Sequence, residues 1–190
     1  MKSSVFLSDG SFVRNSFIAI GVSLILAFVP ACKKEKTTTG KEVSLPAVGN
    51  RAPIFTLKDL NGNNVSLSGF KGKIVVMDFW ATWCSWCKKT TQELEKIHKD
   101  YESKGVVVLG ISMDSGGDAE HKVKEFAKQY NLSYLMLMDD DSISKFYGVN
   151  KIPTSFILNK EHMITRIYPG YLPGLRERIV EAIEESLPKS

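Results

Sequence analysis

Two cysteines separated by two residues stand where an apolar strand pattern gives way to a helical pattern. This C-x-x-C motif, residues 84–87, follows the apolar run at residues 74–80 and opens a segment with helical periodicity at residues 88–101. A strand that turns directly into a helix places Cys84 at or near the helix N-terminus, where unpaired N–H groups and the helix dipole favour a thiolate. Cys87 lies one turn later on the same side of the helix. We therefore predict that the pair cycles between dithiol and disulfide.

The segments around the motif predict an α/β sheet. Residues 74–80 have the continuous apolar character of a strand that is covered on both faces, and residues 106–111 repeat it after the helix. Strand, helix and strand in this order predict a parallel pair with a right-handed crossover. Upstream, short alternating segments at residues 54–57 and 65–67 flank an Asn-Gly dipeptide at 61–62, which indicates an antiparallel β-hairpin.

The C-terminal half continues the alternation of helices and strands. The patterns predict a helix bearing Val123 and Phe126, a strand at 134–138, a short helix at 142–147, strands at 155–158 and 163–168, and a last helix at about 175–187. The strands on either side of the turn at 159–162 give the sheet an antiparallel side. The predicted fold is a mixed sheet with helices on both faces.

The first 31 residues have the pattern of an export signal. Two basic residues precede an uncharged run at residues 17–31, which is short for a membrane-spanning helix but typical of a signal-peptide core. The run ends at Cys32 and resembles the bacterial lipoprotein signal, in which the cysteine is lipidated and becomes the mature N-terminus, although Pro30 departs from the usual residue there. An ordinary cleaved signal and an uncleaved anchor are the alternatives, and all three export the domain.

The remaining chain divides into a linker and one folded domain. Residues 32–45 are polar and lack hydrophobic periodicity, so we predict a flexible tether there and a single domain at residues 46–190. The chain has 25 basic and 21 acidic side chains, a net charge of +4, and the two signs interleave along the helices. Nucleic-acid binding usually requires a concentrated basic face, so this function class is not expected.

Four segments carry a family resemblance. They are the hairpin region at residues 53–73, the cysteine segment at 78–87, the loop at 148–154 that contains Ile-Pro-Thr, and Gly170 after the last strand. Over about residues 46–187 the chain resembles the thioredoxin fold, and more closely its exported, membrane-tethered thiol-disulfide oxidoreductases of the TlpA/ResA type. The chain departs from the common pattern at Trp86, where family members often have proline. This difference concerns the redox potential and the partner, not the reaction type.

The cysteines and two acidic residues receive catalytic roles. Cys84 is predicted to attack a partner disulfide, and Cys87 to resolve the mixed disulfide. The resemblance implies that Asp78, which interrupts the apolar strand, is a buried acid with a raised pKa that manages the proton of Cys87. An outward-facing strand end is the alternative. Asp114 resembles a glutamate position near the active site of the ResA-like branch and is a candidate accessory acid, with a loop cap as the equal alternative.

Four further residues are expected to bind the substrate. The resemblance implies a cis peptide bond before Pro153, although trans is the general expectation for a bond to proline. A cis bond would expose the Ile152 backbone, so that an extended partner segment pairs with it as an added strand. Trp83 and Trp86 are expected to form a hydrophobic docking rim.

The function expected from these residues is that of an exported thiol-disulfide oxidoreductase without a cofactor. By family analogy it acts as a reductant of cysteine-containing exported proteins, for example in cytochrome c maturation or disulfide repair. Its membrane thiol-electron donor would be of the DsbD/CcdA type. The expected location is outside the cytoplasm, in the bacterial periplasm or at the cell surface, with the membrane reached through a lipid anchor or the N-terminal segment.

Three alternatives keep the two cysteines and change the chemistry. A zinc site would need four ligands, and the three histidines are scattered without ligand spacing, so no metal is expected. A copper-handling protein would use both thiolates as soft ligands, but the related copper chaperones have three residues between their cysteines. A thiol peroxidase is disfavoured because the chain has no Pro-x-x-x-Thr-x-x-Cys arrangement.

Overall fold

The computed structural model describes residues 45–188. The signal segment at 1–31, Cys32 and the tether up to residue 44 lie outside the described residues. Within the described range the β-strands and α-helices are β1 Thr56–Asp59, β2 Asn64–Ser66, β3 Ile74–Trp80, α1 Ser85–Tyr101, β4 Val106–Ser112, α2 Ala119–Gln129, β5 Leu135–Met138, α3 Ser142–Phe146, β6 Thr154–Leu158, β7 Ile164–Pro169 and α4 Leu175–Ser186.

The seven strands form one mixed sheet. Its order is β2-β1-β5-β4-β3-β6-β7. The central strands β3, β4 and β5 run parallel, whereas the β1-β2 hairpin and the β6-β7 pair add antiparallel strands at the two sides. All seven residues of β3 are buried, because this strand has neighbours on both edges and side chains packed on both faces. The predicted mixed sheet is confirmed.

The period-two alternation of β3 separates two hydrophobic clusters. Val76 and Trp80 point to the cluster that α1, α2 and α4 cover, whereas Met77 and Phe79 point to the cluster closed by the hairpin and the end of α3. Helices therefore lie on both faces, as predicted. The same alternation directs Asp78 toward α1, the helix that carries the cysteines.

Helix α1 begins at Ser85 with Cys84 as its N-cap, so Cys84 lies at the helix N-terminus and Cys87 in the first turn, as predicted. Strand β1 begins later than predicted, and Ile54 is left exposed. Its end is held by Asp59, whose Oδ1 accepts hydrogen bonds from the N–H groups of Asn61 and Asn63, both at 2.8 Å.

Candidate active site

The two cysteines lie at the N-terminus of α1 and form a disulfide. Their Cα atoms are 5.2 Å apart, and the Cys87 N–H donates to the Cys84 Sγ at 3.1 Å. Cys84 is 8% exposed, whereas Cys87 is completely buried. The first turn of α1 contains no acidic side chain, so the positive end of the helix dipole is not neutralised there. An incoming thiol or disulfide therefore meets Cys84 first, in surroundings that favour its thiolate.

The loop before β6 lies directly beside the reactive sulfur. The Ile152–Pro153 peptide bond is cis, as the resemblance implies, and the Ile152 carbonyl oxygen is 3.9 Å from Cys84 Sγ. The loop is close because β6 runs antiparallel to β3, so the start of β6 and the end of β3 lie at the same edge of the sheet. The Gly170 N–H donates to the Pro153 carbonyl at 2.6 Å and fastens the loop to the end of β7.

Two tryptophans are exposed next to the disulfide. Trp83 is 70% exposed and Trp86 is 52% exposed, whereas Trp80 is fully buried in the core. The Trp86 ring stacks on Tyr171, with centroids 4.8 Å apart and planes inclined by 20°, and Lys89 Nζ lies 4.8 Å from the Trp86 centroid. Tyr171 was not predicted as a site residue. Its only sequence signal is its place directly after Gly170, because the contact joins α1 to a loop distant in the chain.

Asp78 is completely buried on the face of β3 that α1 covers. Its Oδ1 accepts a hydrogen bond of 2.6 Å from the Ser155 hydroxyl, whose residue is its register partner on β6. Within residues 45–188 its Oδ2 has no hydrogen-bond partner. Burial raises the pKa of Asp78 from 3.8 to about 7, and the Ser155 hydrogen bond opposes part of this rise. The carboxyl can therefore gain or lose a proton near neutral pH.

Asp114 connects the end of β4 to the loop that precedes the cysteines. Its carboxylate accepts hydrogen bonds from the Thr82 N–H at 2.9 Å, the Thr82 hydroxyl at 2.5 Å and the Ser112 hydroxyl at 2.8 Å. Thr82 lies two residues before Cys84. These bonds fix the path of the chain into the active site. Thr82 and Ser112 were not predicted as site residues.

Two general features of the described residues complete the site. No group of three or more His, Cys, Asp or Glu side chains at positions 45–188 is arranged to hold a metal ion. Over the same positions, no helix has the length and apolar character needed to cross a membrane.

Known proteins with similar sequences and structures are named as thioredoxin-like proteins or thiol-disulfide oxidoreductases. The chain is 37% identical to the thioredoxin-like protein YneN of Bacillus subtilis over 71% of this chain and 78% of that protein. It is 34% identical to the thiol-disulfide oxidoreductase ResA of Bacillus thuringiensis over 90% and 88%. The thioredoxin domain of a thiol-disulfide oxidoreductase from Bacteroides vulgatus superposes with a TM-score of 0.64 at 30% identity, over 76% of this chain and 100% of that one.

The fold, the cysteine pair at the helix N-terminus and these relatives define a thioredoxin-fold thiol-disulfide oxidoreductase. The AhpC/TSA family model matches residues 48–167. The chain belongs to this family.

Proposed function

We propose that the protein is an exported reductant that transfers two electrons from the Cys84/Cys87 dithiol to a disulfide in another exported protein. The observation that carries this proposal is the unequal accessibility of the two sulfurs, since Cys84 is partly exposed beside the Ile152–Pro153 bond and Cys87 is completely buried. A reductant of this class needs one thiol for attack and a protected second thiol for release.

The reaction consists of two thiol-disulfide exchanges. The Cys84 thiolate attacks one sulfur of the partner disulfide, so that a mixed disulfide forms and the other partner sulfur leaves as a thiolate. Cys87 then loses its proton and attacks Cys84 Sγ, which releases the second partner sulfur and forms the Cys84–Cys87 disulfide. The partner gains two electrons and two protons, and the dithiol loses them.

Asp78 is the base for the second exchange in this proposal. Cys87 belongs to the same buried cluster as Val76 and Trp80, the neighbours of Asp78 on its face of β3. Burial raises the pKa of Asp78 to about 7. In neutral solution about half of the molecules therefore carry the ionised carboxylate, which can accept a proton. A buried carboxylate accepts a proton readily, since protonation removes a charge from a poorly solvated position.

The surface around Cys84 is the substrate-binding site in this proposal. In this proposal the Ile152 backbone, next to Cys84, pairs with an extended partner segment, and Trp83 and Trp86 supply exposed aromatic area. The Tyr171 stack holds the Trp86 ring in one orientation, which lowers the entropy lost when a partner packs on it. Asp114 acts through Thr82 by fixing the loop that presents Cys84, and its role as an accessory acid remains a prediction.

The cellular setting follows from the N-terminal pattern and the resemblance. Residues 1–31 direct export, and lipidation of Cys32 tethers the domain to the outer face of a membrane, with an ordinary signal or a retained N-terminal segment as the alternatives. In that oxidising location a reductant requires a supply of electrons. We therefore infer a membrane donor of the DsbD/CcdA type and cysteine-containing exported substrates, for example in cytochrome c maturation or disulfide repair.

A trapping experiment tests the proposal. In a Cys87→Ser variant of the full chain, the mixed disulfide cannot be resolved, so partners are expected to accumulate covalently on Cys84 in the native host. Mass spectrometry of the trapped species identifies exported cysteine-containing proteins and their attached cysteine. A Cys84→Ser variant is the matched control and should trap far less.

Two results would contradict the proposal. One is the absence of any Cys84-linked partner in the Cys87→Ser strain. The other is a wild-type protein that, after chemical reduction, leaves a cystine-containing substrate protein oxidised. Retention of the trapped partners in a cytoplasmic fraction would contradict the export step alone.

A further inference from the structure

Three buried polar atoms without partners lie on one face of the sheet near the disulfide. Within residues 45–188, the Asp78 Oδ2, the Trp80 indole Nε1 and the Tyr134 hydroxyl are buried and have no hydrogen-bond partner. Buried polar groups in folded proteins are nearly always paired, so a concentration of such atoms beside a functional acid requires an explanation. Trp80 and Tyr134 belong to the buried cluster that also contains Cys87.

Gly110 allows these side chains to approach Asp78. In the β3-β4 register, Gly110 is the partner of Asp78. A Cβ atom at Gly110 would lie 2.7 Å from Met136 Sδ, 2.9 Å from Tyr134 Cε2 and 3.1 Å from Trp80 Nε1, so the thioether and the two rings close over the strand at this point. Any side chain at Gly110 would force these neighbours to shift from the space beside the register partner of Asp78.

The hydrogen-bonding capacities of the three groups are complementary. An indole N–H only donates, a tyrosine hydroxyl donates and accepts, and a carboxylate only accepts. A single buried water satisfies two donors and one acceptor of this kind. The Tyr134 ring lies beside Gly110, the register partner of Asp78. In keeping with this position, the pKa of Tyr134 is raised well above its ordinary value, first by burial and next by the negative charge of Asp78.

We propose that Tyr134 is a positioning residue for Asp78: its hydroxyl, with the Trp80 N–H, is linked by one buried water to Asp78 Oδ2 and favours the carboxylate form. The inference rests on the proposed role of Asp78 as the base for Cys87. Ser155 holds the other carboxylate oxygen. The two interactions together keep the acid oriented and ionised often enough to accept the Cys87 proton.

Among the described helices, the other titratable or charged groups on this face come from α1 and α4, since the buried residues of α2 are all apolar. They are Cys87, Glu95, His98 and Tyr101 on α1, and Arg176 on α4, whose Nε is buried. Burial pushes the pKa of Glu95 upward, but the hydrogen bonds from Ser133 together with the hydrogen bond and positive charge of Lys99 outweigh it and hold that pKa below its ordinary value. Its charge acts on Tyr134 more weakly than that of Asp78.

A Tyr134→Phe substitution in the full chain tests the inference. Loss of the hydroxyl should raise the pKa of Asp78 by about one unit, measured by carboxyl ¹³C NMR titration of the reduced protein. The acid limb of the pH-rate profile for reduction of a cystine peptide should move to higher pH by the same amount. At pH 7 the rate should fall about fivefold, because fewer molecules carry an ionised Asp78.

Tyr147→Phe is the matched control. Tyr147 is also a buried tyrosine, but its hydroxyl donates to the Pro53 carbonyl in the cluster on the opposite face of the sheet. This variant should leave the titration of Asp78 and the pH profile unchanged. In an Asp78→Asn background, Tyr134→Phe should cause no further shift of the profile.

Each outcome decides a separate claim. Identical Asp78 titrations in wild type and Tyr134→Phe would overturn the inference about Tyr134. An Asp78→Asn protein with the wild-type rate and pH profile would instead overturn the role of Asp78 as the base for Cys87. The Asp78 titration in wild type and Tyr134→Phe would still decide whether Tyr134 is linked to Asp78. If Tyr134→Phe does not fold, the wild type provides the test, since the Trp80 indole proton must show a cross-peak to a long-lived water, and its absence overturns the inference.

Discussion

At the scale of the residue, the burial of Asp78 couples folding to pH. Its pKa is about 7 in the folded protein and 3.8 as the ordinary value, so the folded state retains a proton that the unfolded state loses between these values. The free energy of unfolding therefore falls as pH rises through this window. A shift of about three units corresponds to roughly 4 kcal/mol above pH 8.

We predict that Asp78→Asn removes this cost. In urea unfolding at about pH 9, the free energy of unfolding of the variant should exceed that of wild type by up to about 4 kcal/mol. This difference should shrink toward about pH 4. Ser155→Ala is the matched control, because it removes a hydrogen bond that lowers the pKa of Asp78 and should make the pH dependence of wild-type stability larger. Equal pH dependence in Asp78→Asn and wild type would contradict the prediction.

The roles of some site residues could be predicted from the sequence, and the roles of others could not. Asp78 was noticeable because a carboxyl in an apolar strand is costly, and the cysteines because of their spacing and place. Ser155 and Thr82 carried no such signal, since serine and threonine are common at strand and loop positions. Their roles depend on partners far away in the chain, which a sequence pattern does not name.

At the scale of the element, the Trp86–Tyr171 stack joins α1 to the loop between β7 and α4. We predict that Trp86→Ala and Tyr171→Ala each lower kcat/KM for a protein disulfide about three- to tenfold, the equivalent of an aromatic pair. Reduction of a small aromatic disulfide should change less, because it does not reach this surface. Phe146→Ala removes an exposed aromatic ring on α3 and serves as the control. A loss of equal size for both substrates would contradict a docking role.

The connection between β4 and the loop before α1 gives a second element-scale prediction. Asp114→Ala should lower the free energy of unfolding by about 2–4 kcal/mol, because three hydrogen bonds to a buried carboxylate are lost. Thr82→Val removes only the hydroxyl contact and should cost less. The two variants should have wild-type pH-rate profiles if Asp114 acts only as an anchor. A profile changed in Asp114→Ala and not in Thr82→Val would identify Asp114 as the accessory acid.

At the scale of the whole molecule, stability depends on the redox state. In the chain-entropy model, a disulfide that closes so short a loop stabilises the fold by about 2 kcal/mol. We predict that, in urea unfolding, the free energy of unfolding of the oxidised protein exceeds that of the reduced protein by about this amount. A Cys84→Ser/Cys87→Ser double variant should unfold identically with and without reductant. A reduced form as stable as the oxidised form would contradict the prediction.

Most of the fold was predictable because its signals are local. The apolar runs, the Asn-Gly turn and the helical spacing each lie within a short window, and the strand-helix-strand order dictates a parallel pair. Strand β1 runs later than predicted, to Asp59, whose side chain accepts hydrogen bonds from the turn that follows. The pairing of β1 with β5 was not predicted, since strands so distant in the chain are matched only when the sheet assembles.

The strand, the C-x-x-C turn and the helix follow from the local sequence, and with them the class of chemistry, because spacing alone brings Cys84 and Cys87 together. The surroundings of the two sulfurs depend on how the whole sheet packs. The sheet register sets Ser155 against Asp78, and burial rather than residue type raises the pKa of that acid. The remaining long-range contacts are Ile152 beside Cys84, Thr82 with Asp114 and Tyr171 on Trp86. Such contacts join elements far apart in the chain, so their energies and geometries exist only once the whole sheet is packed.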